Sequence, residues 1–494
     1  MPTEFHQRRA RTALFLAVSL SAAPLAVAQW TVVPRVSTGV VHTDNVALQP
    51  PAFAQDETAA RINPGLSVRK EGGRLNVDLS YELDALFYSE DSDRNESFHN
   101  FNAQGEFEVM PRRFWIAGNA VYDQTILTAS EPIPLSNVSI TSNRSDYWSA
   151  EINPYWIEDF GNWSQLRVDY RYGQIAYEDA DVLQGSNVDD LERNEVGVRL
   201  GSQPDRPGLD WDVTYRTQRI DYQTFGDFQL DSAIADLRYP IGRQWWLIAR
   251  GGAETDARTD ARDGGLQSEI YEAGIRYELG RGEYAEIRAG RRFYGNTLFA
   301  SIEKSSGRFN ANLEYNENPT TVGLEQLLLP DVINNPTGPG FELTDLTNDL
   351  YINKELVLAL SYTASRMRVD LEGRRIKREF IDSGDDDEER GAGLTVSYRL
   401  GPRTSVELYA YRAQIGFPGT TVEDRITQAA LSASRRFGRQ SLLDLTFRYD
   451  RRDSDTVQQA NVYREKAVEL TFTRWFGRGE ASERDSRRGR SLRR

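Results

Sequence analysis

The chain predicts an all-β fold, a transmembrane antiparallel up-and-down β-barrel of about 22 strands preceded by a cleaved signal peptide. Three observations predict it. Run after run alternates apolar with polar residues, the connections alternate long with short, and the runs are long enough to cross a bilayer. Residues 75–87 show the first and third best. Leu75, Val77, Leu79, Tyr81, Leu83, Ala85 and Phe87 share one face, and Asn76, Asp78, Ser80, Glu82 and Asp84 share the other. A period of two is the mark of a strand with one apolar and one wet face. At a rise of ~3.3 Å per residue such a run spans ~43 Å, or ~33 Å of height at a tilt near ~40°, enough for a lipid-facing band of ~25 Å. A soluble all-β sandwich also alternates, but this many apolar faces would then be left uncovered.

The first 28 residues read as a secretory signal. Arg8, Arg9 and Arg11 precede a short apolar core from Ala13 to Leu20, and Ala26-Val27-Ala28 is a small-x-small cleavage site. That core is too short to span a bilayer as a helix. The chain has no cysteine, which excludes disulfides, thiolate metal sites and a lipoprotein anchor. Its net charge of −15 argues against nucleic acid as a partner. Apolar residues make up only 39%, as expected when alternate residues alone meet lipid.

Taken in order, the outward series run Ile62/Leu66/Val68, Leu166/Val168/Tyr170/Tyr172, Val196/Val198/Leu200 and Trp211/Val213/Tyr215. Tyr271/Ala273/Ile275/Tyr277/Leu279, Phe309/Ala311/Leu313/Tyr315 and Leu394/Val396/Tyr398/Leu400 follow. Ala429/Leu431/Ala433, Leu443/Leu445/Phe447/Tyr449 and Val468/Leu470/Phe472 complete the set, with Phe476 closing it. The first and sixteenth strands carry the weakest patterns, so a count of 20 stays open. The barrel is expected over 29–476. Because the first strand, from Val32 to His42, starts directly after the signal, no N-terminal plug domain is expected.

The short connections are rich in Gly, Pro and Arg: Glu71-Gly72-Gly73, Pro111-Arg112-Arg113, Gly280-Arg281-Gly282, Gly401-Pro402-Arg403 and Gly438-Arg439. The long ones, often acidic, are 43–59, 89–96, 126–144, 178–190, 256–265, 316–348, 381–389 and 452–461. Short turns are periplasmic and long loops external in outer-membrane barrels. One outer connection, at Gly295-Asn296, is unusually tight. The segment 316–348, with Pro319, Pro330, Pro336, Pro339 and the apolar Leu327-Leu328-Leu329, is the candidate obstruction. It either folds inward, caps the mouth or stays external.

Opposite the apolar series lie the candidate lumen residues. They are Asp78, Glu82, Asp84, Arg167, Asp169, Arg171, Arg193, Glu195, Arg199, Asp212 and Arg216, then Glu272, Arg276, Glu286, Arg288, Arg292, Arg368, Asp370, Glu372, Asp444, Arg448 and Glu469. Both signs occur, often two residues apart, so charges can pair across strands. The lumen is expected to be either a hydrated path or a salt-bridged brace; a barrel this wide is hard to fill with side chains alone. Catalytic chemistry is sparse. His6 leaves with the signal, and His42 and His99 sit at outer strand ends with no nucleophile motif around them. Neither a phosphate loop nor a dinucleotide fingerprint nor a metal-ligand spacing is present. Asp382 and the run Asp385-Asp386-Asp387-Glu388-Glu389 could offer oxygens to Ca²⁺ but match no calcium loop. No cofactor is expected. Beyond Phe476, 477–494 carries seven arginines against three acids and reads as a disordered periplasmic tail or a contact for an anionic partner.

The stretch Trp30-Thr31-Val32-Val33-Pro34, Thr43-Asp44-Asn45-Val46 and Ile62-Asn63-Pro64-Gly65-Leu66 resembles the outer-membrane β-barrel family associated with PEP-CTERM/exosortase systems, close to the porin-like barrels of exopolysaccharide loci. The strand rhythm extends the resemblance over nearly the whole mature chain. The resemblance implies an outer-membrane location and a role in exopolysaccharide export or a related envelope pathway, without catalysis. It carries over no functional residues, and the basic tail departs from it. The partners expected are outer-membrane lipid, the barrel-assembly machinery and exopolysaccharide or periplasmic export components. The alternatives are a general diffusion porin for small solutes and an outer-membrane hydrolase.

Overall fold

The computed structural model describes residues 30–178, 189–203, 208–224, 226–258, 262–328, 345, 347–455 and 462–476. The signal segment and the basic tail lie outside them. The described residues form 22 strands, including the first and the sixteenth. They are β1 (Thr31–Thr43), β2 (Glu57–Lys70), β3 (Leu75–Tyr88), β4 (Glu96–Met110), β5 (Phe114–Ile126), β6 (Arg144–Phe160), β7 (Ser164–Tyr177) and β8 (Leu191–Ser202). Then come β9 (Asp210–Tyr222), β10 (Gly226–Pro240), β11 (Trp245–Glu254), β12 (Ser268–Gly280), β13 (Glu283–Arg292), β14 (Gly295–Ser306) and β15 (Phe309–Thr320). After the short helix α1 (Val322–Leu328) come β16 (Tyr351–Thr363), β17 (Met367–Phe380), β18 (Asp386–Gly401), β19 (Thr404–Gly416), β20 (Glu423–Phe437), β21 (Ser441–Ser454) and β22 (Tyr463–Trp475).

Each strand pairs antiparallel with its neighbour in sequence, and β1 closes the ring on β22, with Thr38 opposite Phe472 and Val40 opposite Leu470. Closure removes the sheet edges, so backbone groups bond from strand to strand around the wall, which lipid demands. Strands run from 10 to 17 residues. Short turns gather at one end with both ends of the sheet. Gly282 (φ 72°) and Gly438 (φ 69°) occupy the left-handed region there, which a side chain resists. The tight connection at the other end leaves only Phe293 and Tyr294 between Arg292 and Gly295.

The outer face is apolar and exposed. Val40, Ile62, Val168, Val196, Val213, Leu247, Ile275, Ile287, Leu371, Leu408, Leu431 and Leu470 lie on it. Aromatic residues fringe the short-turn end, among them Trp163, Tyr239, Trp245, Phe309, Tyr398 and Phe437. An apolar band of this extent is stable only against lipid. The molecule is an outer-membrane β-barrel. Among the described residues no helix is long and apolar enough to cross a membrane.

The buried apolar residues lie inside the ring, near the long-loop end. Tyr147, Ile175, Leu191, Ile220, Tyr222 and Phe228 point inward from the wall and pack on Leu324, Leu327 and Leu350 of the β15–β16 connection. This core sits where the lumen would otherwise be open.

Candidate functional site

The lumen wall is zipped by charge. Every candidate lumen residue lies out of phase with exposed apolar neighbours on its own strand. Near the seam, Arg35 pairs with Glu82, and Arg61 with both Asp84 (2.6 Å) and Glu469 (3.2 Å). Asp78 takes Arg69 at 2.7 Å. From β7 to β9 the pairs interlock. Asp169 lies 3.5 Å from Arg167 and 3.7 Å from Arg171. Glu195 accepts Arg171 (3.3 Å) and Arg216 (3.1 Å), and also meets Arg193, which reaches Glu151 at 2.9 Å. Arg199 reaches Asp212 at 3.1 Å. From β10 to β13, Arg250 bridges Asp236 (2.8 Å) and Glu272 (3.8 Å). Arg288 bridges Glu272 (3.7 Å) and Glu286 (3.2 Å), and Arg276 meets Glu286 at 3.5 Å. Arg292 takes Glu254 at 2.6 Å. Farther round, Arg368 pairs with Asp370 (2.8 Å), and Asp444 accepts from the Ser434 hydroxyl. Glu372 and Arg448 stand outside these pairs, and Arg448 Nη2 is buried without a hydrogen-bond partner.

The same phase rule reaches partners absent from the expected set. Arg61 alternates with Ile62, and Arg250, Asp236 and Glu254 alternate with exposed neighbours in the same way. Arg452 escaped for another reason: it was expected in a loop, whereas β21 runs on to Ser454.

Two segments turn into the outer half of the ring. The first holds α1. This helix leaves β15 and packs on β6 and β7, nearly half-way round the barrel. Leu327 seats on Gly173, where a Cβ would fall 2.6 Å from Leu327 Cδ2. Gln326 donates to Thr125 Oγ1 (3.0 Å) and accepts from the Tyr177 hydroxyl (2.7 Å). Glu325 turns back to accept from Tyr351 (2.8 Å) and Asn353 (2.7 Å). Tyr222 donates to Thr321 Oγ1 at 2.8 Å. Of the expected obstruction, these described residues lie inside the lumen, and 329–344 lies outside the described residues.

The second segment, 127–143, was expected only as a long external loop. The structure folds it inward from β5 to the far wall. Its Ala129 and Glu131 carbonyls accept from Arg452, which is fully buried and also paired with Asp424. Asn137 donates to Asp84 at 3.0 Å, and Ser139 to Glu465 at 3.1 Å. Tyr88 donates to the Val138 carbonyl at 2.9 Å. Ile133 packs with Ile126, Ile415 and Ile426, and Val138 packs with Val41, Leu86 and Phe98. The alternating pattern of the strands carries no signal for this inward path. The two segments touch where Ala129 N–H donates to Asp345 Oδ1 at 2.7 Å. Burial pushes the Asp345 carboxyl above its ordinary range, while the amides of Ala129 and Ser130 pull it back. Asp349 is also raised by burial, with Asp382 adding to the effect and the Thr347 hydroxyl opposing it.

The histidines lie outside this lumen. His42 bonds Thr58 Oγ1 (3.0 Å), and His99 bonds the Tyr81 hydroxyl (2.8 Å) and meets the Tyr122 ring edge-on. Both share the phase of outward-facing residues, and neither contacts a carboxylate. The acidic run near 385–389 is tied into the sheet. Asp386 pairs with Lys377 (2.6 Å), Asp387 with Arg378 (3.0 Å), and Glu388 with Arg390 (2.6 Å) and Arg375. Among the described residues no group of three or more potential ligands gathers to hold a metal.

No family model and no curated protein matches the chain. Solved outer-membrane barrels do resemble it. The siderophore receptor PirA from Pseudomonas aeruginosa aligns over 90% of this chain and 80% of its own, at 10% identity and a TM-score of 0.40. The anion-selective porin from Comamonas acidovorans aligns over 91% and 99%, at 10% identity and a TM-score of 0.34. OccAB2 of Acinetobacter baumannii aligns over 90% and 98%, at 12% identity and a TM-score of 0.32. The likeness is one of fold.

Proposed function

We propose that this outer-membrane barrel is a non-enzymatic, porin-like conduit, closed at rest by its own inward segments, that serves exopolysaccharide export or a related envelope pathway. One observation carries the gated-conduit part. The outer half of a wide, charge-lined lumen is filled by α1 and 127–143, which are held by buried apolar clusters and by side-chain hydrogen bonds, those of the buried Arg452 among them. A brace would need no such filling, because the ladder and the paired charges already hold the wall. The export setting rests on the resemblance of 30–88 to barrels of exopolysaccharide loci.

A general diffusion porin is the second reading. It needs a standing aqueous path, and the filled outer half weighs against it. The hydrolase reading is weaker still, since among the described residues His42 bonds Thr58 and His99 bonds Tyr81, and neither is set beside a carboxylate. The test is conductance in a planar bilayer. The intact protein should open rarely, and deletion of 323–340 should raise the open fraction at least tenfold. Channels unchanged by the deletion would defeat gating by α1. Unaltered exopolysaccharide output in a strain lacking the protein would defeat the export role.

A further inference from the structure

We propose that the lumen wall of β4, β5 and β6, on the short-turn side of the filled zone, carries a subsite for a neutral glycan chain. The inference rests on the export reading and names where its polymer would be held.

The wall of the lumen is uneven. From β7 to β13 its charges are consumed by one another. On β4 and β5 amides stand among the inward positions, with Glu106 and Glu108 on the short-turn side of them. Asn102, Gln104 and Asn119 point inward, and among the described residues none of their amides makes a hydrogen bond. Gln104 lies directly opposite Asn119. Asn102 is two residues along β4 from Gln104, so the three sit within roughly 7 Å of one another along and across the ladder. One ladder step above Asn119, Val121 is already buried in the inward-folded core. The amides therefore lie immediately beneath the closed zone, and Gln104 is exposed to the lumen.

Below them stands an aromatic pair. Trp115 and Tyr155 face each other across β5 and β6, with ring centroids 5.2 Å apart and planes 10° from parallel. The Arg167 guanidinium lies 4.3 Å from the Tyr155 centroid and fixes its far face. The Tyr155 hydroxyl donates to Glu106 at 2.6 Å, which fixes its tilt. The Trp115 indole N–H has no acceptor among the described residues. Tyr155 is thus sandwiched between Trp115 and Arg167, and the ring face left for a ligand is that of Trp115.

Together these groups match one chemistry. Pyranose rings present C–H faces that pack on aromatic rings, and hydroxyls that both donate and accept. An amide supplies two donors and a two-lone-pair oxygen, so it pairs with hydroxyls in either sense. Aromatic surface with a few convergent polar groups is the usual make-up of a small-molecule site. The charge here favours a neutral chain over an anionic one. The carboxylates at hand are Glu106, Glu108 opposite Trp115, Asp78 opposite Gln104 and Glu151 opposite Asn119, and the nearby cation, Arg167, is already placed on Tyr155 and beside Asp169.

The test uses the full-length barrel folded in detergent, with saturation-transfer NMR and calorimetry. The probes are maltohexaose, a neutral hexasaccharide, and hexagalacturonate, an anionic one. Maltohexaose should bind and hexagalacturonate should not. Gln104→Ala should weaken maltohexaose binding at least fivefold, and Trp115→Ala at least tenfold. Asn312→Ala, on the far wall at β15, should leave it unchanged. The Gln104 amide makes no hydrogen bond among the described residues, so its variant should keep the heat-modifiability of the parent even if Trp115→Ala folds poorly. Absence of maltohexaose binding, equal binding by Gln104→Ala and the parent, or preference for hexagalacturonate would each overturn the subsite. Binding as described in a protein whose deletion leaves polymer output intact would uphold the subsite and overturn the export role. Lost polymer output without maltohexaose binding would do the reverse.

Discussion

Gly173 and Arg452 hold the two inward segments, and each does so by a different physical route. At Gly173 the missing side chain is the point. Leu327 occupies the space a Cβ would take, so Gly173→Leu should expel it. Losing that buried leucine should cost the docked state about 2 kcal/mol, read as a higher open fraction in a bilayer, with barrel unfolding in denaturant nearly unmoved. Arg452 works by charge. It is fully buried, pairs with Asp424, and donates to two carbonyls of 127–143. Arg452→Met removes the cation and strands a buried carboxylate, a loss of about 3–5 kcal/mol. The segment should become protease-sensitive while the barrel persists. Adding Asp424→Asn should recover part of the loss, because the stranded charge is then gone. If cleavage of Arg452→Met matches the parent, Arg452 does not anchor the segment.

At the scale of elements, the β15–β16 connection and 127–143 meet at a carboxyl, that of Asp345, whose proton affinity is raised by burial. Burial raises the Asp345 carboxyl above its ordinary range in the docked state, and release into water removes that burial. The contribution to docking is therefore complete below the ordinary value and is lost as pH rises through the raised one. Channel opening should increase with pH across that window, and Asp345→Asn should flatten the response. A profile identical in parent and variant would remove Asp345 from the gate. The strands around these segments were legible in advance. The alternation of β3 shows that Asp78, Glu82 and Asp84 share a face, and the same rule reaches Arg61 unaided. Alternation is silent on partners. That Asp84 would bond Asn137 from 127–143 depends on a crossing of the lumen that no local pattern encodes.

For the molecule as a whole, closure at β1–β22 and the segregation of short from long connections set the orientation in the membrane. A single cysteine replacing Asp386, at the long-loop end, should react with an impermeant maleimide on intact cells. One replacing Gly72, in the short turn between β2 and β3, should not. The opposite labelling would invert the barrel.

The sequence by itself determined the wall. Strand existence, strand face and turn position follow from residues two apart and from Gly-rich turns, which are local and survive in any closed ring. The number 22 and the seam needed the tertiary structure, because weak strands such as β1 count only once a partner is found for them. The lumen belongs to the tertiary structure as well. Whether 316–348 lay inside or outside was open from its composition, and 127–143 looked like any external loop. The described residues of both are held by contacts between residues hundreds of positions apart, such as Ala129 with Asp345 and Ser139 with Glu465. Alternation records which face a residue takes; it cannot record which distant residue waits on the other side of the ring.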